Sequence, residues 1–289
     1  MKKIALITNF NITEKLEAAS RVAEVIGDRA DKIFIPENYK DRVMRAHLHK
    51  SVYTYAPLDE IYSSAELVIV IGGDGSMLDV VRRASMRDIP VLGINMGRIG
   101  YMTELEMDEL DLLDNVFEGK YVLDKRAMLS VKIVSSSGAN RFSALALNEA
   151  VIANGSTARI IDLELSDGEE LVSTYRADGL VVATPTGSTA YSLSAGGPIV
   201  DPRLSCICVT PVCPHSLLAR PLVFPDNAEL RVRNICVREK MLHLTVDGKA
   251  TFEMYHGDTA VITRAPIEAK LLRVKDESFC SKIRLKKLL

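Results

Sequence analysis

Ile69–Ala84 reads IVIGGDGSMLDVVRRA. An apolar, β-branched run stops at two glycines. An aspartate, a third glycine and a serine follow, and then Met77, Leu78, Val81 and Ala84 recur at helical spacing. The reading is a buried strand (Leu67 to Ile71), a tight turn and a helix (Ser76 to Ala84). An unbroken β-branched run marks a strand covered on both faces, as in a parallel sheet.

The same alternation extends on both sides. Ile4 to Thr8, Lys32 to Ile35 and Val91 to Ile94 read as short strands. Lys15 to Ile26 carries Leu16, Ala19, Val22, Ala23 and Ile26 on one helical face. Strand–helix alternation predicts a parallel α/β sheet. The pattern changes near residue 120. Short runs then alternate with turn signals such as SSSG, NGS, SDGEE, VDGK and HGD: Leu129 to Val134, Ala144 to Ile152, Ile160 to Leu165, Leu180 to Ala183, Leu230 to Val232, Leu242 to Val246 and Ala260 to Thr263. The expected fold class is an α/β N-terminal domain with a parallel sheet plus a β-rich, β-sandwich-like C-terminal domain. The active site is expected between them, where ligand clefts often form. The expected domains are 1–120, carrying GGDG, and 121–265, with 266–289 as a C-terminal segment packing back on the first.

The 289 residues suffice for two ordinary domains, each with its own core. A formal net charge of −2 gives no sign of a nucleic-acid or anionic-membrane binder. No apolar run approaches the ~18 residues of a membrane span, and the apolar start after Met1 is too short for a signal peptide. Cys206, Cys208, Cys213, Cys236 and Cys280 are odd in number and lack CxxC spacing. They are expected as free thiols in a reducing cytoplasm. The basic cluster Lys282, Arg284, Lys286, Lys287 alternates with apolar residues and reads as a strand.

GGDGS stands past a strand end and before a helix, where open α/β sheets bind ligands. Gly72, Gly73 and Gly75 permit close backbone approach. N–H groups near Ser76, opening the helix, can receive a phosphate. The P-loop lysine and both standard glycine spacings are missing. Asp74 repels a phosphate, so it reads either as the cap of its own helix or as a general base for a hydroxyl attacking a phosphoryl group.

A second unusual stretch is residues 176–200, RADGLVVATPTGSTAYSLSAGGPIV. Thr184, Thr186, Ser188, Thr189, Tyr191, Ser192 and Ser194 supply uncharged hydrogen-bonding groups that need partners when buried. A ligand carrying riboses, an amide and phosphates would supply them. Asn148 and Glu149, inside the apolar ALALNEAVI, read either as a turn cap or as a clamp on ribose hydroxyls.

IGGDGSML, INMGRIGYMTEL, LNEAVI, DGLVVATPTGSTAYSLSAGGPIV and TPVCPHSLLARPLV occur in this order across nearly the whole chain. Together they resemble the NAD kinases. The resemblance implies transfer of the γ-phosphoryl of ATP, or of inorganic polyphosphate, to the 2′-hydroxyl of the adenosine ribose of NAD. It implies Asp74 as the base, with Gly72, Gly73, Gly75 and Ser76 on phosphates. NAD would be met by Asp74, Gly75, Asn148, Glu149, Thr189, Ala190, Tyr191 and Ser194. Asp178 would lie near the nicotinamide, with Arg176 beside it. Arg159, and Lys249 where many family members carry glutamine, are lesser contacts. Mg²⁺ would arrive with ATP; no residues have the spacing of a metal cage. A homodimer or homotetramer in the cytoplasm, without nucleic acid or membrane, is expected. The other readings are a lipid or sugar kinase with a GGDG loop, and a non-catalytic NAD(P) sensor.

Overall fold

A computed structural model describes residues 1–97, 100–155, 159–237 and 241–285. In chain order the elements are β1 (Lys3–Ile7), α1 (Thr13–Ile26), β2 (Lys32–Pro36), α2 (Lys40–Arg45), β3 (Tyr53–Ala56), α3 (Leu58–Ser64), β4 (Leu67–Gly72), α4 (Asp74–Ser85), β5 (Val91–Asn95), α5 (Asp114–Phe117) and β6 (Val122–Val134). There follow β7 (Asn140–Ala146), β8 (Glu149–Ala153), β9 (Ile161–Asp167), β10 (Glu170–Ala177), β11 (Gly179–Ala183), α6 (Tyr191–Ser194), β12 (Cys206–Val212) and β13 (Leu222–Pro225). The chain closes with β14 (Leu230–Asn234), β15 (Met241–Val246), β16 (Ala250–Tyr255), β17 (Thr259–Arg273) and α7 (Phe279–Leu285).

The chain divides into two compact units, Met1–Lys125 with Ala269–Leu289, and Arg126–Glu268. In the first, five strands run parallel in the order β3-β2-β1-β4-β5. The end of β17 adds beside β5 through Leu271 and Val91. All six residues of β4 are buried, as its apolar run requires. The chain builds outward from β1 through β2 to β3, then restarts at β4 on the other side. The order therefore reverses between β1 and β4, and the crevice beyond their carboxyl ends is the place where such sheets bind ligands. The core is Ile4, Leu6, Ile33, Ile35, Ile69, Ile71 and Leu92 of the sheet with Leu16, Val22 and Ile26 of α1.

The second unit is two antiparallel layers. One runs β10-β9-β14-β17, and the other runs β13-β12-β11-β8-β15-β16. A single core joins Leu163, Leu165, Leu230 and Val232 of the first layer to Ile152, Leu180, Val182, Leu242 and Leu244 of the second. This is the sandwich arrangement expected of alternating strands.

Two local readings are corrected. ALALNEAVI is not one strand: it breaks at Leu147–Asn148 into β7 and β8. The reason is long-range. The Asp247 carboxylate accepts the N–H groups of Leu147 (2.8 Å), Asn148 (2.8 Å) and Glu149 (3.1 Å) in place of a strand neighbour. The basic C-terminal cluster is not a strand either. Lys282 and Arg284 lie in α7, where the Ser278 hydroxyl accepts the Ser281 N–H at 3.1 Å and starts the helix. Lys286 and Lys287 lie outside the described residues.

Candidate active site

Helix α4 begins at Asp74 with Gly73 as its extended cap residue and no side-chain capping bond. The Ser76 and Met77 N–H groups return to the Gly73 carbonyl at 2.9 and 3.3 Å. Asp74 is therefore not the cap of its own helix. Its carboxylate is held from elsewhere: Oδ1 accepts the Met102 N–H at 2.9 Å, and Oδ2 accepts the Tyr101 N–H at 3.0 Å. An ionised carboxylate offers about four acceptor positions, so both oxygens keep capacity for a hydroxyl.

The glycines have separate reasons. A Cβ on Gly72 would stand 2.8 Å from Ser76 Oγ, and one on Gly97 would stand 2.9 Å from the Gly73 Cα. The loops after β4 and β5 thus touch backbone to backbone. Gly75 is exposed, with nothing within 4 Å of the position its Cβ would take.

The segment that holds Asp74 is itself clamped. Arg273 Nη1 donates to the carbonyls of Met102 (3.2 Å) and Thr103 (3.3 Å) and to Glu104 Oε2 (3.0 Å). Its Nε reaches Asp124 Oδ2 at 3.2 Å. Glu104 is nearly fully buried, and its Oε1 accepts the Val274 and Lys275 N–H groups at 2.9 and 2.8 Å. Arg98 and Ile99, part of the INMGRIGYMTEL stretch, lie outside the described residues.

In the second unit Asn148 and Glu149 are both buried. The turn they form is fixed by Asp247, a residue with left-handed backbone (φ +48°) at the β15–β16 turn, whose own N–H donates to the Glu149 carbonyl at 3.0 Å. Thr184 seals the other side: its hydroxyl donates to the Leu147 carbonyl at 2.6 Å, and its N–H donates to the Asn148 carbonyl at 2.8 Å. Gly187 is forced, because a Cβ there would stand 2.1 Å from the Asn148 carbonyl oxygen. The Glu149 carboxyl is pushed up to about 7, first by burial and then by the Asp247 charge, against a bond from the Tyr191 backbone that lowers it. Its Oε2 is buried and has no hydrogen-bond partner.

The hydroxyl-rich stretch divides in two. Thr184, Thr186, Ser188 and Ser192 are buried and satisfied within the protein. Ser188 Oγ donates to the Pro185 carbonyl at 2.7 Å, Arg126 reaches Thr186 Oγ1 at 3.2 Å, and Ser192 Oγ meets Thr210 Oγ1 at 3.1 Å. The expectation that a ligand must satisfy this whole segment is thereby corrected. Thr189 and Ala190 are half-buried, and Tyr191 and Ser194 are exposed, so these are open to a ligand.

Other sequence-derived candidates stand apart. Ala183 pairs with Glu149, whereas Gly179, next to Asp178, pairs with Ala153. Five strand positions, about 16 Å, separate Asp178 from the Asn–Glu turn within this unit. Arg176 is exposed, 3.9 Å from Asp162. Lys249 is exposed on the Asp247–Gly248 turn, and Arg159 is exposed ahead of β9. Sequence reasoning missed Asp247, Thr184 as a backbone seal, and the Glu104–Arg273 pair. Only Asp247 left a local signal, the VDGK turn. Among the described residues no group of three or more His, Cys, Asp or Glu side chains stands together as metal ligands.

An acid fixed beside an open glycine turn at a strand end is the equipment of a phosphotransferase. Residues 4–121 match the ATP-NAD kinase N-terminal domain, and residues 147–274 match the ATP-NAD kinase C-terminal domain. The chain belongs to the NAD kinase family. It is 38% identical over 284 residues to the NAD kinase of Aromatoleum aromaticum, covering 98% of this chain and 92% of that one. To the NAD kinase of Symbiobacterium thermophilum it is 38% identical over 286 residues, covering 99% and 95%. The fold is similar to that of yeast NADH kinase complexed with NADH (TM-score 0.89, 22% identity, 98% of this chain and 86% of that one). It is also similar to an NAD kinase from Archaeoglobus fulgidus in complex with ATP (TM-score 0.69, 24% identity, 97% of each chain). No helix among the described residues is long and apolar enough to cross a membrane.

Proposed function

We propose that this chain transfers the γ-phosphoryl of ATP to the 2′-hydroxyl of the adenosine ribose of NAD, with Asp74 as general base. The observation that carries the reading is the Asp74 carboxylate, fixed by the Tyr101 and Met102 N–H groups at the mouth of the glycine loop. A base held by two backbone donors keeps its free lone pairs in one place, and phosphoryl transfer depends on positioning more than on covalent chemistry. Gly72, Gly73, Gly75 and Ser76 line the phosphates at the start of α4, Ser76 through its hydroxyl because its N–H already donates to the Gly73 carbonyl. Asn148 and Glu149 hold the ribose, where the unpartnered Glu149 Oε2 gains a hydroxyl donor. Thr189, Ala190, Tyr191 and Ser194 line NAD; Arg176 and Asp178 serve its nicotinamide end, with Arg159 and Lys249 as lesser contacts. Mg²⁺ would come with ATP, held largely by phosphates and water, and would supply neutralisation of the phosphate charge. A cytoplasmic homo-oligomer completes the proposal.

The test is NADP formation by the purified chain with NAD, Mg²⁺ and ATP, beside Asp74→Asn. The expected result is NADP from the wild type and a loss of roughly 10²- to 10⁴-fold in kcat in the variant, with NAD binding kept. A folded wild type that forms no NADP, with polyphosphate and NADH also tried, overturns the reading.

A further inference from the structure

The glycine loop lacks the lysine with which P-loops neutralise phosphates, yet an ammonium stands beside it. Lys15, in the first turn of α1, places its Nζ 3.9 Å from the position a Cβ on Gly72 would take. Ser76 Oγ lies 2.8 Å from that same point. The side chain is half-buried and has no hydrogen bond or ion pair among the described residues. Its own helix cannot supply a partner, because the residues three and four positions on are Ala18 and Ala19. The ammonium therefore has no counter-charge from the described residues, and an anion on the glycine loop would supply one.

The topology brings this about independently. Lys15 follows β1 and the loop follows β4, the two neighbours between which the strand order reverses. The Thr8 hydroxyl at the end of β1 donates to the Ile71 carbonyl at the end of β4, at 2.7 Å, so the two turns are tied together.

We propose that Lys15 binds the phosphates of the phosphoryl donor, supplying from α1 the cation absent from the GGDGS loop. The inference rests on the kinase reading above and names a donor-binding residue within it. The donor class is a nucleoside triphosphate or another polyphosphate. A lysine is suited to this as a compact point charge.

The test uses the full chain as wild type, Lys15→Met and Lys15→Arg. Binding of inorganic tripolyphosphate is measured by calorimetry, and NADP formation is measured at varied ATP and varied NAD. Lys15→Met keeps the apolar stem, and circular dichroism confirms its fold. In Lys15→Met the Kd for tripolyphosphate and the KM for ATP should each rise about 10- to 100-fold, the loss of one charge-assisted bond. The KM for NAD should stay within about twofold, and Lys15→Arg should recover most of the loss. Unchanged tripolyphosphate affinity and ATP KM in folded Lys15→Met overturn the proposal. So does a rise in the KM for NAD equal to that for ATP. If the wild type binds tripolyphosphate through Lys15 but forms no NADP, the kinase reading falls and the polyphosphate site stands.

Discussion

Glu149 and Asp247 are two buried acids held against each other. The Asp247 N–H donates to the Glu149 carbonyl at 3.0 Å, and the Asp247 carboxylate accepts the Glu149 N–H at 3.1 Å. Asp247 accepts three backbone N–H groups, whereas Glu149 keeps an unpartnered oxygen. The pair thus separates into a structural acid and an available one.

The available acid makes stability depend on pH. Burial and the Asp247 charge raise the Glu149 carboxyl to about 7, above its ordinary value of 4.5. Its stabilising contribution is full below the ordinary value and is lost as pH rises through about 7. Glu149→Gln should therefore melt above the wild type at pH 8 and close to it near pH 5. Thermal melts from pH 5 to 8.5 check this, and parallel curves for the two proteins would sink it.

The structural acid carries the turn. Asp247→Ala leaves the N–H groups of Leu147, Asn148 and Glu149 without their acceptor in a buried turn. Each unpaired buried donor costs about 1–3 kcal/mol. A loss of roughly 3 kcal/mol or more is expected in urea unfolding, together with loss of NAD binding. A variant within about 0.5 kcal/mol of wild type would show that water replaces the carboxylate.

Arg273 holds Glu104 and the two carbonyls behind the donors to Asp74. Arg273→Met leaves a buried carboxylate with weakened compensation, so a loss of about 3–5 kcal/mol is expected. Arg273→Met combined with Glu104→Gln should regain part of it, because no charge is then stranded. Denaturant unfolding of the two single variants and the double variant decides; strict additivity would mean the pair is uncoupled.

Two glycines should respond in opposite ways. Gly187→Ala drives a methyl onto the Asn148 carbonyl and should lower Tm sharply. Gly75→Ala meets nothing within 4 Å, so stability should stay within about 0.5 kcal/mol. If Gly75 lies under phosphate, the KM for ATP should still rise. Tm and KM measured together on both variants separate folding from binding.

The parallel sheet was legible because β1, β4 and β5 are short apolar runs and α1 and α4 keep helical spacing. Strand β3, with YTYA half-exposed at a sheet edge, carries no such contrast. Asp74 and the Asn–Glu pair stand out in sequence because polar residues interrupt apolar runs. Their supports do not. Asp247 lies about a hundred residues from the turn it fixes, and Arg273 lies 169 from Glu104. No local pattern links such partners. The same holds for Lys15, which is an ordinary helix-opening lysine until the sheet order is known. The hydroxyls of 184–192 mislead for the opposite reason: composition announces polarity but not whether the protein's own backbone has already satisfied it.

Unit one is interrupted in the chain: residues 126–268 lie between its main part and its last strand. During synthesis Glu104 emerges long before Arg273 and Lys282, which lie 3.0 and 3.6 Å from it in the finished protein. The usual order, in which the N-terminal domain folds first on the ribosome, would leave that domain without its closing strand. The contiguous middle unit can finish while the N-terminal sheet still waits for its closing strand. Until Arg273 is in place, the backbone donors of Tyr101 and Met102 lack the arginine clamp behind them, and the acid they hold is without a finished seat.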